Sequence, residues 1–144
     1  MQRRKIVIPG WFRAVAVLAL IWNLIGVAMF VLHSMTGPAE LARMPEPERL
    51  LFEAIPAWAN TAYAVGVFAG ALGSLFLVLR SKLAVPLLGA SLAGVLVQGF
   101  HTLVLSRARD VYGDSALVLP LVVIAIAVYL LLVSAQARNN GWLR

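Results

Sequence analysis

Two histidines and three amides are the side chains of the apolar blocks best suited to chemistry: His33, His101, Asn23, Asn60 and Gln98. Gln98 and His101 stand three residues apart, and helical spacing puts them on one face with Ala90, Gly94 and Leu105. Asn23 falls on a face shared by Ala16, Ala19, Gly26, Phe30 and His33, while Asn60 and Tyr63 sit within two turns of the start of the second block. Amides and imidazoles donate and accept hydrogen bonds without carrying a fixed charge, so together they fit a neutral ligand. Trp22, Trp58 and Tyr63 add flat faces on which a sugar ring or a lipid headgroup could stack. The candidate ligand-binding set is therefore Trp22, Asn23, Trp58, Asn60, Tyr63, Gln98 and His101, with Asn23 as the floor of an outward-opening pocket. His33, at the edge of its block, reads as a surface residue. The competing reading is that these groups only tie helices together, at about 0.6 kcal/mol per interhelical hydrogen bond.

The absences narrow the chemistry further. All 6 carboxylates, Glu40, Glu46, Glu48, Glu53, Asp110 and Asp114, lie in two loops, which leaves the apolar blocks without an acid. Proton-coupled exchange of the small multidrug type needs an intramembrane carboxylate, and a Ser-His-Asp arrangement needs an acid beside its histidine. A retinal-type Schiff base needs a lysine in a span, and none of the blocks has one. The cysteine count of 0 removes disulfides, thiolate metal sites and thiol redox chemistry, and with them the quinone-linked bundles that make disulfides. A bis-His haem on His33 and His101 is conceivable in principle, but both stand at block ends. No catalytic residue, metal or cofactor is assigned, and the chain reads as a non-enzyme.

The elements that must position these groups are legible from hydropathy. Of 144 residues, 62% are hydrophobic and 12% charged, against about a quarter charged in a soluble domain. The excess falls in four blocks, about 11–33, 57–79, 83–105 and 116–137, each near the ~20 residues that cross a bilayer core as a helix. Unbroken blocks of this length mean helices, because lipid offers the backbone no hydrogen-bond partner. The expected fold is all-α, a single four-span integral membrane bundle over 1–144.

The net charge of +6 is distributed as a membrane protein's, and no nucleic-acid partner is expected. Arg3, Arg4, Lys5, Arg13, Arg80, Lys82, Arg138 and Arg144 flank the two ends and the turn between the middle blocks, whereas Arg43, Arg49, Arg107 and Arg109 occupy the acid-bearing loops. That bias places both termini in the cytoplasm and the acidic loops outside. The basic start followed by an apolar run imitates a signal peptide, but the run is too long for an h-region and is kept as the first span.

Between the first two blocks, Pro38 to Met44 and Glu48 to Ile55 read as two short amphipathic helices broken at Pro45-Glu46-Pro47. Arg80-Ser81-Lys82 is too tight a turn for anything but antiparallel neighbours. Residues 106–115 read as a loop with a turn at Tyr112-Gly113-Asp114, and Asp114 or Ser115 as a cap for the last span. Gly66, Gly70 and Gly73 form a small-residue stripe, matched by Ala90 and Gly94, which favours a seam between the middle spans over a dimer face. Val118, Val122, Ile126, Leu130 and Val133 read as an exposed aliphatic face, and Trp142 as an interfacial stop. No internal repeat relates the two halves, so an inverted-repeat transporter within one chain gains no support.

Trp22-Asn23-Leu24-Ile25-Gly26, Pro45-Glu46-Pro47-Glu48-Arg49, Pro56-Ala57-Trp58-Ala59, Phe68-Ala69-Gly70-Ala71-Leu72-Gly73, Val97-Gln98, Val111-Tyr112-Gly113 and Gly141-Trp142-Leu143 follow one another along the chain. Together they resemble a group of uncharacterised small four-helix bacterial inner-membrane proteins, some of which carry the label sugar transporter. The resemblance covers nearly the whole chain and implies a multi-pass protein of the bacterial inner membrane. Similarity to DoxX-like proteins is confined to size and span count.

Two functions are expected from these observations. The first is binding or transport of a neutral polar or amphipathic small solute through an outer-leaflet pocket, by a homo-oligomer. The alternative is a non-catalytic accessory subunit of a larger membrane complex, with the lipid bilayer as its other partner.

Overall fold

The computed structural model describes residues 5–144; Arg3 and Arg4, counted in the charge pattern, lie outside the described residues. The described chain is helical throughout its regular structure: α1 Gly10–Ser34, α2 Pro38–Arg43, α3 Glu46–Glu53, α4 Ala57–Val78, α5 Ala84–Phe100, α6 Ala108–Tyr112 and α7 Val118–Asn139. Four stretches are long and apolar enough to cross a membrane, Gly10–Ser34, Ala57–Val78, Ala84–Leu105 and Ala108–Asn139. Large side chains such as Leu18, Leu24, Ile25, Leu32, Leu119 and Leu132 point outward from them. Such a surface is soluble only in lipid, and the chain is a multi-pass membrane protein.

The long helices pack in series, α1 on α4, α4 on α5 and α5 on α7. The α4–α5 contact is the small-residue seam. A Cβ at position 94 would stand 2.7 Å from both the Ala62 carbonyl oxygen and the Gly66 nitrogen, and one at 73 would stand 2.8 Å from Leu88. Only glycine lets the two backbones approach so closely. Ser91 Oγ donates to the Gly66 carbonyl at 2.6 Å across the same seam. Gly70 makes room for Asn23 and Ser91, so the stripe serves α1 as well as α5.

The buried core lies at the end of the bundle where α4 turns into α5. Phe12, Ala16, Leu77, Leu88, Leu130, Val133, Ala137 and Trp142 form it. Leu130 and Val133 are thus interior, although Val118 and Val122 of the same stripe are exposed. The expected aliphatic face is exposed only over the first part of α7; its second half is covered by the core. Trp142 differs from expectation too: its ring packs 5.3 Å from Phe12 and 5.7 Å from Trp11. Gly141, at φ 72°, turns the chain back so that Trp142 enters this cluster.

The same turn is clasped by hydrogen bonds. Arg144 N donates to the Arg80 carbonyl at 2.6 Å, Lys82 N to the Arg144 carbonyl at 3.1 Å, and Arg80 Nε to the Trp142 carbonyl at 2.9 Å. Arg80 adopts φ 60°, a left-handed conformation unusual for a residue with a side chain. Desolvation, with the like charges of Arg144 and Arg13, lowers the pKa of Arg80 from its ordinary value.

The opposite end is built of short helices. α3 begins at Glu46, two residues before the expected start, because a proline in the first turn costs no hydrogen bond and Pro47 occupies that place. Residues 107–112 are not a plain loop: α6 forms there, and α3 packs against it. Neither Asp114 nor Ser115 caps α7. Asp114 instead pairs with Arg109 at 2.7 Å, and Ser115 Oγ donates to the Tyr112 carbonyl at 2.6 Å. Past Phe100 the last turn of the α5 stretch widens to a π-helical turn, His101–Leu105, closed by Ser106 N donating to the His101 carbonyl at 2.7 Å. Such turns are rare and often mark functional sites.

Candidate functional site

A partly open cavity of about 650 Å³ occupies the end opposite the core. That size falls in the range of small-molecule pockets, about 300–1,000 Å³. α4 contributes Asn60, Tyr63, Gly66 and Val67 to its wall; α5 and its wide turn contribute Val95, Gln98, His101 and Thr102. α7 adds Leu119, Pro120 and Val123, and α3 covers it with Leu51 and Phe52. From α1 only His33, in the final turn, reaches the lining.

The polar groups are held individually. His33 Nε2 donates to Asn60 Oδ1 at 3.1 Å, an oxygen that can only accept, and this leaves the Asn60 NH₂ group available. The His33 ring lies 4.6 Å from Phe52 and 6.0 Å from Tyr63, so α3, α1 and α4 meet on this one imidazole. Gln98 Nε2 donates to Thr102 Oγ1 at 3.2 Å, and Thr102 Oγ1 donates to the Gln98 carbonyl at 3.2 Å. The Gln98 side chain is therefore tethered within its own helix, with its Oε1 left to accept.

Of the residues expected to form the site, Asn60, Tyr63, Gln98 and His101 line the cavity. Trp58 stands behind His101 with its ring edge-on at 5.5 Å, and so orients that imidazole without lining the cavity. Trp22 and Asn23 do not reach it. They line a separate void of about 20 Å³ with Ser91, Val95, Val123 and Leu130. Asn23 Nδ2 donates to Ser74 Oγ and to the Ala19 carbonyl, both at 2.9 Å, so this amide is an interhelical tie. Val95 and Val123 line both spaces and form the partition that keeps Asn23 from being the cavity floor.

His33 is the residue that sequence reasoning missed. Its place on the same helical face as Asn23 was visible, but its height at the end of the helix suggested solvent, and α3 covers it instead. No group of three or more His, Cys, Asp or Glu able to hold a metal ion occurs among the described residues. Among the described residues no lysine or arginine lines the cavity, and Glu48 is the single carboxylate on its rim. What the arrangement offers chemically is hydrogen bonding by uncharged groups beside aliphatic walls, under a rim that carries the Glu48 carboxylate. Comparison with protein-family models, curated proteins and solved structures gave no match for the chain.

Proposed function

We propose that this protein binds, and in an oligomer transports, a neutral polar or amphipathic small solute through the cavity between α4, α5 and α7. The observation that supports this reading is the convergence of Asn60, Gln98 and His101 from two helices, with His33 from a third, on one space of about 650 Å³. Polar groups that tie helices together without binding anything need no such space between them, as Asn23 and Ser74 illustrate at 2.9 Å. The charge bias of the loops supports a bacterial inner-membrane protein with both termini cytoplasmic and the α2–α3 cap outside.

The test is a thermal-shift and native-mass measurement on protein extracted gently from membranes, with monosaccharides, polyols and monoacylglycerols as probes. Gln98→Ala and His101→Ala are expected to abolish the shift given by a binding probe while leaving the unliganded bundle folded. If both variants lose stability and no probe shifts either of them or the parent, these residues are ties between helices. A stoichiometric foreign protein retained in the native mass, with no small molecule, would favour the accessory-subunit reading.

A further inference from the structure

The cavity is sorted by polarity along the bundle axis. On α4, Asn60 and Tyr63 precede Gly66 and Val67; on the α5 stretch, Thr102 and Gln98 stand above Val95; and Ser115, in the tight turn Gly113–Leu117 that leads into α7, stands above Val123. At 1.5 Å per residue, the six or seven positions from Asn60 to Gly66 and from Thr102 to Val95 amount to roughly 10 Å of depth. The α4 and α5 walls thus pass from hydrogen-bonding groups near the α3 cap to aliphatic side chains or bare backbone at the floor, while α7 presents Leu119, Pro120 and Val123, apolar throughout. Val95 and Val123 close that floor, and on their far side lies the small void beside Trp22.

A polyhydroxylated solute filling this space would place hydroxyls against valines, where a hydroxyl buried without a partner loses its hydrogen bonds to water and gains none. An alkyl chain in the same place meets only its own kind. At the upper level the Asn60 NH₂ and the Gln98 Oε1 are left free by the internal bonds of the site, supplying a donor and an acceptor. Among the described residues no lysine or arginine lines the space, which leaves an anionic head without a partner, and the one lining carboxylate, Glu48, belongs to the α3 cap.

We infer that the ligand is an uncharged amphiphile, lying with its apolar tail on the Val95–Val123 floor and its hydroxyl- or carbonyl-bearing head between Asn60 and Gln98. This rests on the binding reading above and narrows it. A free sugar fits the upper level alone.

The experiment uses the full chain in lipid nanodiscs, with Trp22 as the one remaining tryptophan after Trp11→Phe, Trp58→Phe and Trp142→Phe. Monoacylglycerol brominated at the chain end is titrated against monoacylglycerol brominated next to the glycerol. The chain-end probe is expected to quench Trp22 saturably and more strongly than the other. Val123→Phe, which fills the floor, is expected to remove the saturable component while circular dichroism stays unchanged. In protein whose one remaining tryptophan is Trp58, with Trp11, Trp22 and Trp142 replaced by phenylalanine, the order of the two probes should reverse.

Equal quenching of Trp22 by both probes overturns the orientation. Stronger competition by an alkyl phosphate or alkyltrimethylammonium of the same chain length overturns the uncharged head. If glucose or glycerol raises the thermal midpoint and no alkyl compound does, the amphiphile is wrong but solute binding stands. If no probe of either kind gives a saturable signal or a shift, both readings fall together.

Discussion

His33 of α1 donates through Nε2 to Asn60 Oδ1 of α4 at 3.1 Å, with the Phe52 ring of α3 tilted at 45° against the same imidazole. One imidazole therefore links two spans and the cap over the cavity. His33→Ala should loosen both contacts, and His33→Gln, which keeps a donor at similar reach, should recover part of the loss. The hydrogen bond alone is worth about 0.6 kcal/mol by analogy with interhelical bonds in lipid. Proteolysis of the α2–α3 segment in nanodiscs checks the effect on the cap, and it should be faster in the alanine variant.

Gly94 and Gly89 share α5 but not its seam. A Cβ at 94 would collide with the Ala62 carbonyl and the Gly66 nitrogen, while one at 89 meets nothing within 4 Å. Gly94→Ala should therefore destabilise the bundle by about 1–3 kcal/mol, the usual range for overpacking. Gly89→Ala should be neutral. Unfolding by sodium dodecyl sulfate in mixed micelles measures both, and equal effects would refute the backbone-contact account of the seam.

Trp142 is packed, being 9% exposed in the core with Phe12. Trp142→Ala should cost about 3–5 kcal/mol, as for a large aromatic removed from a core. Trp142→Phe should keep most of that. A tryptophan serving only as an interfacial anchor would give a small loss in both, and thermal melts in one detergent separate the cases.

Asn23 and Ser74 form an interhelical pair at 2.9 Å below the cavity floor. A double-mutant cycle with Asn23→Ala and Ser74→Ala should show coupling of about 0.6 kcal/mol. Neither variant should alter the thermal shift produced by a cavity ligand. A lost ligand effect in Asn23→Ala would put that amide back into the site.

The spans, the α4–α5 turn and the glycine seam were legible because hydropathy and small-residue spacing act within single helices. Gly66 and Gly94 could be paired from sequence since a three-residue turn leaves their helices no other neighbour to approach first. What could not be read depends on how separate helices lean on one another. Asn23 and His33 lie on one face of α1, yet only His33 reaches the cavity, because Val95 and Val123 from other helices stand between it and Asn23. Trp142 carries the same lesson: a tryptophan near the end of a basic segment looks like an interface marker until Gly141 bends it inward.

The wide turn at His101–Leu105 acts as a phase shifter in the α5 stretch. A regular helix advances about 100° per residue, so one additional residue absorbed in a turn re-aims everything after it by that angle. Deleting Val104 would restore the regular pitch with the loss of one apolar residue from the span, swinging Ser106 and α6 away from the mouth of the cavity. A chain shortened by that one residue should still insert and pack its glycine seam, but with the entrance facing the wrong way.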